Sequence, residues 1–337
     1  MFVMRQLTKI EREILALTFY SADKPVKEIA KELRCREHMV QRALRRMLSE
    51  GLIQVRQYCN PAALGYQEYA AWISLTTTGR ANREKLRKAL CDSPRTSFVT
   101  DVEGPYQLFC IYLARGSADG QVFFDDISKR AAGVTFTKTV CAILQETLFT
   151  PKRLSDRALG QSCFSYSMET PEVYLDTVDH QILAACMKTA HLSDTEIARK
   201  VGLPVSTVSY RIKNLYKANV LMTRGYTTQA LDDGALLYGF MIQTAESSPE
   251  LRTKFHTFCA NHPKVTAVLS TLGAWDYQVE IELTDARDIF EVVQEFYETF
   301  PRFIRSIQTV PEGTIHKLTP YPFELERQGQ SPRRKES

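Results

Sequence analysis

His38, Gln41, Arg42, Arg45 and Arg46 lie close together in the segment EHMVQRALRRMLS, and a second segment, VSTVSYRIKNLYK, carries Ser206, Thr207, Ser209, Tyr210, Arg211 and Lys213. These side chains suit contact with nucleic acid. An arginine fork can bridge the two acceptors of guanine, a glutamine can pair with adenine, and hydroxyl groups can meet either kind of base edge. Arginine and lysine also neutralise phosphate, which gives affinity without reading sequence.

The two segments can do this chemistry only as helices. At about 100° per residue, burying Val40, Leu44 and Met47 turns His38, Arg42 and Arg45 outward, with Gln41 and Arg46 flanking. Burying Val208, Ile212 and Leu215 presents Ser206, Tyr210 and Lys213, flanked by Ser209 and Asn214. In a helix-turn-helix the N-terminal part of the second helix meets base edges and its C-terminal part approaches phosphates. His38, Gln41, Arg42, Ser206, Thr207, Ser209 and Tyr210 are then base-edge candidates; Arg45, Arg46, Arg211 and Lys213 are phosphate candidates. A basic stripe alone also describes a solvated helix face, so the surrounding pattern must decide.

That pattern is a repeat. Leu7 matches Leu175, and the offset of 175 − 7 = 168 holds without a gap to Ile53 and Leu221, so that EIAKELRCREHMVQRALRRM lies over EIARKVGLPVSTVSYRIKNL. Each copy predicts three helices: Ile10–Leu17, Val26–Leu33 and Glu37–Ser49, then Val178–Ala185, Asp194–Val201 and Val205–Lys217. Ser193 can cap a helix, Pro204 suits a first turn, and Gly51 and Asn219 tolerate a left-handed residue at a helix end. Apolar residues from Leu52 and from Val220 follow, as the first strand of a wing would.

After each trihelical unit the texture becomes strands interrupted by two helices. Strands are expected at Tyr69–Thr76, Ser97–Val102, Gln107–Leu113 and Val134–Leu144, and again at Leu236–Thr244, Val265–Thr271, Tyr277–Leu283 and Phe303–Val310. The order βαββαβ is ferredoxin-like. The fold class is therefore α+β, with two winged helix-turn-helix domains (1–62 and 172–230) alternating with two ferredoxin-like domains (63–149 and 231–323). The polar stretch 150–171 reads as a linker and 324–337 as a disordered tail.

Bulk properties fit this picture. The 337 residues are 44% hydrophobic and 24% charged with a net charge of +4, ordinary for globular domains and permissive of nucleic acid. Eight scattered cysteines form no CxxC pair and no cluster at metal spacing, so no metal is expected and the thiols read as reduced. The start MFVMRQLTKIEREILAL lacks the apolar region of a signal peptide, and no apolar run is long enough to span a bilayer. The expected location is cytoplasmic, at the nucleoid, with no membrane contact.

With LDTVDHQILAACMK opening a winged helix, EIARKVGLPVSTVSYRIKNL as its helix-turn-helix and STLGAWDYQVEIEL as a central hairpin, the chain resembles the leucine-responsive regulatory protein/AsnC group, the feast/famine regulators. The likeness runs from about residue 5 to residue 323. It implies sequence-specific binding of double-stranded DNA, transcriptional regulation and assembly into a homodimer or larger even homo-oligomer. It also implies an amino acid-like effector held near the hairpins, at Thr271, Gly273, Trp275, Asp276 and Tyr277 in one copy and at Gly104 and Tyr106, with Asp101 and Gln107, in the other. Family members carry one copy of each module; this chain carries two, so the two halves of its DNA site need not be equal. The same residues could instead simply turn the hairpins and fill an interface.

Two further readings stand beside this one. Siroheme decarboxylases share the double architecture and use His and Arg near the hairpin, but none of the six histidines, including His316 after the last strand, falls in either hairpin. No nucleophile motif or P-loop appears, so the chain is not expected to be an enzyme or to need a cofactor. A protein-binding scaffold with inert winged helices is the third.

Overall fold

The computed structural model describes residues 7–77, 79–155, 163–190, 192–228, 235–246 and 248–319. The anticipated tail, 324–337, lies outside them. The chain divides into two compact units that interleave along the sequence: residues 1–58, 143–167 and 222–312 make unit 1, and residues 59–142, 168–221 and 313–337 make unit 2.

Unit 1 opens with a trihelical domain, α1 (Lys9–Thr18), α2 (Val26–Leu33) and α3 (Glu37–Ser49). Thr8 and Glu11 form a capping box at the start of α1, satisfying amides that have no partner inside the helix. Ile14, Leu15, Ile29, Val40 and Met47 are buried together, and Leu154 and Tyr226 from distant stretches of the chain join them.

The segment after α3 forms β1 (Ile53–Cys59), but no wing hairpin follows it. Its partner is β7 (Leu221–Thr228), the corresponding strand of the other copy, in a two-stranded sheet. The turn after α1 docks on the same strand: Ala22 N donates to Arg224 O at 2.7 Å and Tyr226 N to Phe19 O at 2.8 Å. Gly225 is required there, because a Cβ would sit 2.5 Å from the Phe19 carbonyl oxygen.

The rest of unit 1 is a ferredoxin-like sheet built from β8 (Leu236–Thr244), β9 (Val265–Leu272), β10 (Tyr277–Leu283) and β11 (Ile304–Leu318). Helices α9 (Pro249–Asn261) and α10 (Asp288–Thr299) cover one face over Phe240, Phe255, Val279, Phe296 and Phe303. The order is β11–β8–β10–β9, and the second half of β5 (Phe136–Phe149) with β6 (Cys163–Ser167) extends the β9 edge. The stretch 150–171 is therefore not a bare connector: β6 pairs antiparallel with β5 from Gln145↔Ser167 to Phe149↔Cys163. Its polarity hid a strand because Ser165 and Ser167 alternate with Phe164 and Tyr166 over only five residues.

Unit 2 repeats the plan. Its trihelical domain is α6 (Thr177–Lys188), α7 (Asp194–Val201) and α8 (Val205–Lys217), with Ile182, Leu183, Ile197, Val208 and Leu215 buried. Its sheet is built from β2 (Gln67–Leu75), β3 (Thr96–Val102) and β4 (Leu108–Ala114) under α4 (Arg80–Asp92) and α5 (Ser117–Arg130). The first half of β5 lies beside β2, from Leu75↔Phe136 to Tyr69↔Ala142. The end of β11 lies beside β3, where Thr100 Oγ1 donates to Thr314 O at 3.2 Å. Each compact unit thus combines the helices of one copy with the sheet of the other.

Candidate nucleic-acid interface

The third helix of each trihelical domain begins and ends where the apolar spacing places it. Gly51 (φ 69°) and Asn219 (φ 60°) take the left-handed conformation just past the two helices. Ser193 caps α7 in a box with Glu196, and Pro204 stands at the N-cap of α8.

On α3, His38, Gln41, Arg42 and Arg45 are exposed, opposite buried Val40, Ala43 and Met47. Among the described residues, Arg42 and Arg45 have no ion pair. Arg46 differs: its Nη2 lies 2.6 Å from Glu11 Oε1 and its Nε donates to the same oxygen at 3.0 Å. Glu11 is fully buried, so Arg46 braces α3 against the start of α1 and offers phosphate only part of its fork.

On α8, Ser206, Tyr210 and Lys213 are exposed, Tyr210 at 67%. Thr207 and Ser209 are half-buried, and Ser209 Oγ donates to Asp194 Oδ2 at 2.6 Å. Arg211 points inward: its Nη1 meets both carboxylate oxygens of Asp176 at 2.9 and 2.8 Å and Asp179 Oδ1 at 2.7 Å. The backbone amide of Asp179 and the Arg211 fork together hold the Asp176 carboxyl below the usual carboxylate range. Arg211 thus braces α8 against α6 through Nη1, and Ser209 joins α8 to α7. Phase alone could not show this, because an arginine on the flank of a helix reaches either way.

The hairpin residues are held within their turns and by the ends of the neighbouring strands β8 and β2. Asp276 Oδ2 accepts from Thr244 N at 2.7 Å and from Thr244 Oγ1 at 2.9 Å, and Thr271 Oγ1 donates to Trp275 O at 2.8 Å. Tyr277 packs in the sheet core and Trp275 is 8% exposed. Gly273 (φ 152°) and Gly104 (φ 107°) turn the chain, and Tyr106 lies 5.7 Å from Trp72, ring to ring. Gln107 Oε1 accepts from Leu75 N at 2.8 Å. Both Thr244 contacts fall on Oδ2, so Asp276, which is exposed, keeps its other carboxylate oxygen for a donor.

Unit 2 also makes a juxtaposition that spacing could not reveal. His316, on the end of β11, lies with its Nε2 2.6 Å from Asp101 Oδ2 at the mouth of the first hairpin, although 215 residues separate them. Arg87 Nη1 is 3.1 Å from the same ring, and Arg83 Nε is 3.3 Å from Asp101 Oδ1. A histidine and two arginines thus do stand beside that hairpin. No group of three His, Cys, Asp or Glu side chains among the described residues is placed to hold a metal ion. No helix there is long and apolar enough to cross a membrane.

A family model described as winged helix-turn-helix DNA-binding matches residues 175–222, spanning α6 to the start of β7. An uncharacterized HTH-type transcriptional regulator, PH0140, of Pyrococcus horikoshii is 25% identical over 124 residues, covering 37% of this chain and 77% of that protein. The HTH-type transcriptional regulator AldR of Mycolicibacterium smegmatis is 28% identical over 125 residues, covering 36% of this chain and 71% of its own. Among solved structures, the siroheme decarboxylase NirDL shares the fold with a TM-score of 0.63 at 10% identity, over 95% of this chain and 97% of that one.

Proposed function

We propose that this chain, whose residues 175–222 match a winged helix-turn-helix DNA-binding model, is a regulator of the Lrp/AsnC kind. On this reading it is a sequence-specific regulator without enzymatic activity, it reads double-stranded DNA with two chemically unequal helices, and a small metabolite modulates it. The observation that carries this reading is the contrast between α3, which exposes His38, Gln41, Arg42 and Arg45, and α8, which exposes Ser206, Tyr210 and Lys213. Two such faces favour different bases, so the two halves of the target differ. Assembly as an even homo-oligomer and a nucleoid location follow from the same reading.

The test is a titration of labelled fragments of the chain's own upstream region, at two salt concentrations. Specific binding with a steep salt slope is expected, since several phosphate contacts release counterions. Absence of specific binding at both salts, with and without candidate amino acids, overturns it.

One observation favours a second reading. The His316–Asp101 pair with Arg87 and Arg83 beside it supplies a proton-exchanging group and two guanidiniums at the first hairpin. Such a set could serve carboxylate chemistry on a tetrapyrrole. Added iron tetrapyrrole that gives a shifted absorption band lost in His316→Ala would support it; an unshifted spectrum removes it.

A further inference from the structure

The face of the unit 1 sheet that α9 and α10 leave uncovered carries an unusual set of groups. Side chains alternate along β10, so with Val279 and Ile281 in the helix-side core, Gln278, Glu280 and Glu282 occupy the other face. Glu312 on β11 and Glu280 on β10 both flank β8 on this face, Glu312 opposite Leu237 and Glu280 opposite Gly239. Glu146, from the second half of β5, stands opposite Tyr166 of β6, whose hydroxyl donates to it.

Aromatic walls rise beside these carboxylates. The Tyr58 ring, from β1, lies 4.7 Å from Phe164, and the Tyr20 ring, from the turn after α1, stacks on Phe164 at 6.2 Å and lies 6.0 Å from Tyr58. Burial raises the Tyr20 hydroxyl well above its ordinary value, and the fields of Tyr58, Glu280 and Glu146 reach it. Burial lowers Arg56, which shares this environment with Tyr58 and Tyr20. Arg153 is matched to Glu282, Nε to Oε1, at 2.6 Å.

Charge and acceptors are out of balance here. Among the described residues Arg153 is paired with Glu282, and no cation is recorded against Glu146, Glu280 or Glu312. Burial pushes Glu146 and Glu312 up and Glu280 up to about 7, with Glu282 and Glu146 adding to the last. Independently, Gln278 is only 6% exposed, and its Oε1 is a buried acceptor with no hydrogen-bond partner among the described residues, two residues from Glu280 on the same face. A buried acceptor without a donor costs free energy that a donor-rich ligand would recover. Ammonium groups offer three donors each and bind well against aromatic rings.

We infer that this acidic, aromatic-walled face of unit 1 is a binding site for an aliphatic diamine or polyamine, one ammonium taken by Glu280 with Gln278 and another by Glu146 or Glu312 within reach of the Tyr20, Tyr58 and Phe164 rings. An anionic tetrapyrrole or a free carboxylate would be repelled. This inference does not depend on the regulator reading.

Calorimetric titration of the full chain without DNA tests it, with 1,4-diaminobutane as probe and butylamine and Mg²⁺ as comparators. At pH 8 the diamine is expected to bind at least about tenfold more tightly than butylamine, with no matching heat from Mg²⁺. Affinity should fall about tenfold or more at pH 5.5, where Glu280 holds a proton, and in Glu280→Gln and Glu146→Gln, each checked for native circular dichroism. Glu298→Gln, on the exposed side of α10, should bind as the parent does. Absence of diamine binding at pH 8, equal heat from Mg²⁺, or undiminished binding in a folded Glu280→Gln variant overturns the inference.

Discussion

Arg46 closes onto Glu11 as Arg211 closes onto Asp179, although the two arginines are not equivalent in the repeat. Glu11 and Asp179 correspond at the offset of 168, whereas Arg211 corresponds to Ala43 and Arg46 to Asn214. Positions three apart share a helix face, so an arginine at either one reaches the carboxylate. The brace between first and third helix is kept while its residue has moved.

Arg46→Ala should therefore act on stability first. It leaves the fully buried Glu11 carboxylate without its guanidinium, a loss of roughly 1.5–3 kcal/mol for a charged hydrogen bond. Denaturant unfolding of Arg46→Ala beside Arg42→Ala checks this; equal stability in the two variants would refute it.

Arg42→Ala and Tyr210→Ala should leave the melting temperature unchanged and weaken DNA binding at different half-sites. Arg45→Ala should weaken all sequences alike and reduce the salt slope by about one. Footprints that are identical for Arg42→Ala and Tyr210→Ala would contradict unequal reading.

Arg34 ends α2 at φ 54°, where its counterpart Gly202 ends α7 at φ 70°. A side chain in the left-handed region costs about 1–2 kcal/mol, partly offset because glycine loosens the unfolded chain. Arg34→Gly should stabilise the first trihelical domain by about 0.5–1 kcal/mol, and thermal melts would show it.

Gly225→Ala should have the opposite effect. Its Cβ would meet a backbone oxygen, which cannot rotate away, so β7 must shift off the Phe19–Tyr20 turn. A loss of roughly 1–3 kcal/mol is expected. Hydrogen exchange should quicken first at Ala22 and Tyr226.

The pH response of Glu280 has a definite sign. Its folded value near 7 lies above the ordinary 4.5, so the associated stability is complete below about pH 4.5 and lost as pH rises through 7. Glu280→Gln should melt several degrees above the parent at pH 8 and no higher than the parent at pH 4. A pH-independent difference would rule out this titration.

The third helices were legible because apolar spacing and caps point the same way: Glu37–Ser49 and Val205–Lys217 appear with the bounds that periodicity gives. Strand β11 was legible only as far as Val310, since its continuation through Glu312, Gly313 and His316 is polar and not alternating. The exposed reader residues could be named from phase, but Arg211 and Ser209 could not be placed, because their partners lie in other helices. The pairing of β1 with β7, the meeting of His316 with Asp101 and the carboxylates on the unit 1 sheet face all depend on long-range contacts that no local pattern encodes.

The pairing of β1 with β7 bears on how this chain could be taken apart. A cut at the repeat boundary near residue 168 would yield two pieces of matching sequence, yet each would carry one strand of a two-stranded sheet and an unpaired edge ready to capture another copy. The sequence repeat is thus not a unit of folding, and two half-chains made separately should be insoluble apart and recover native structure only when made together.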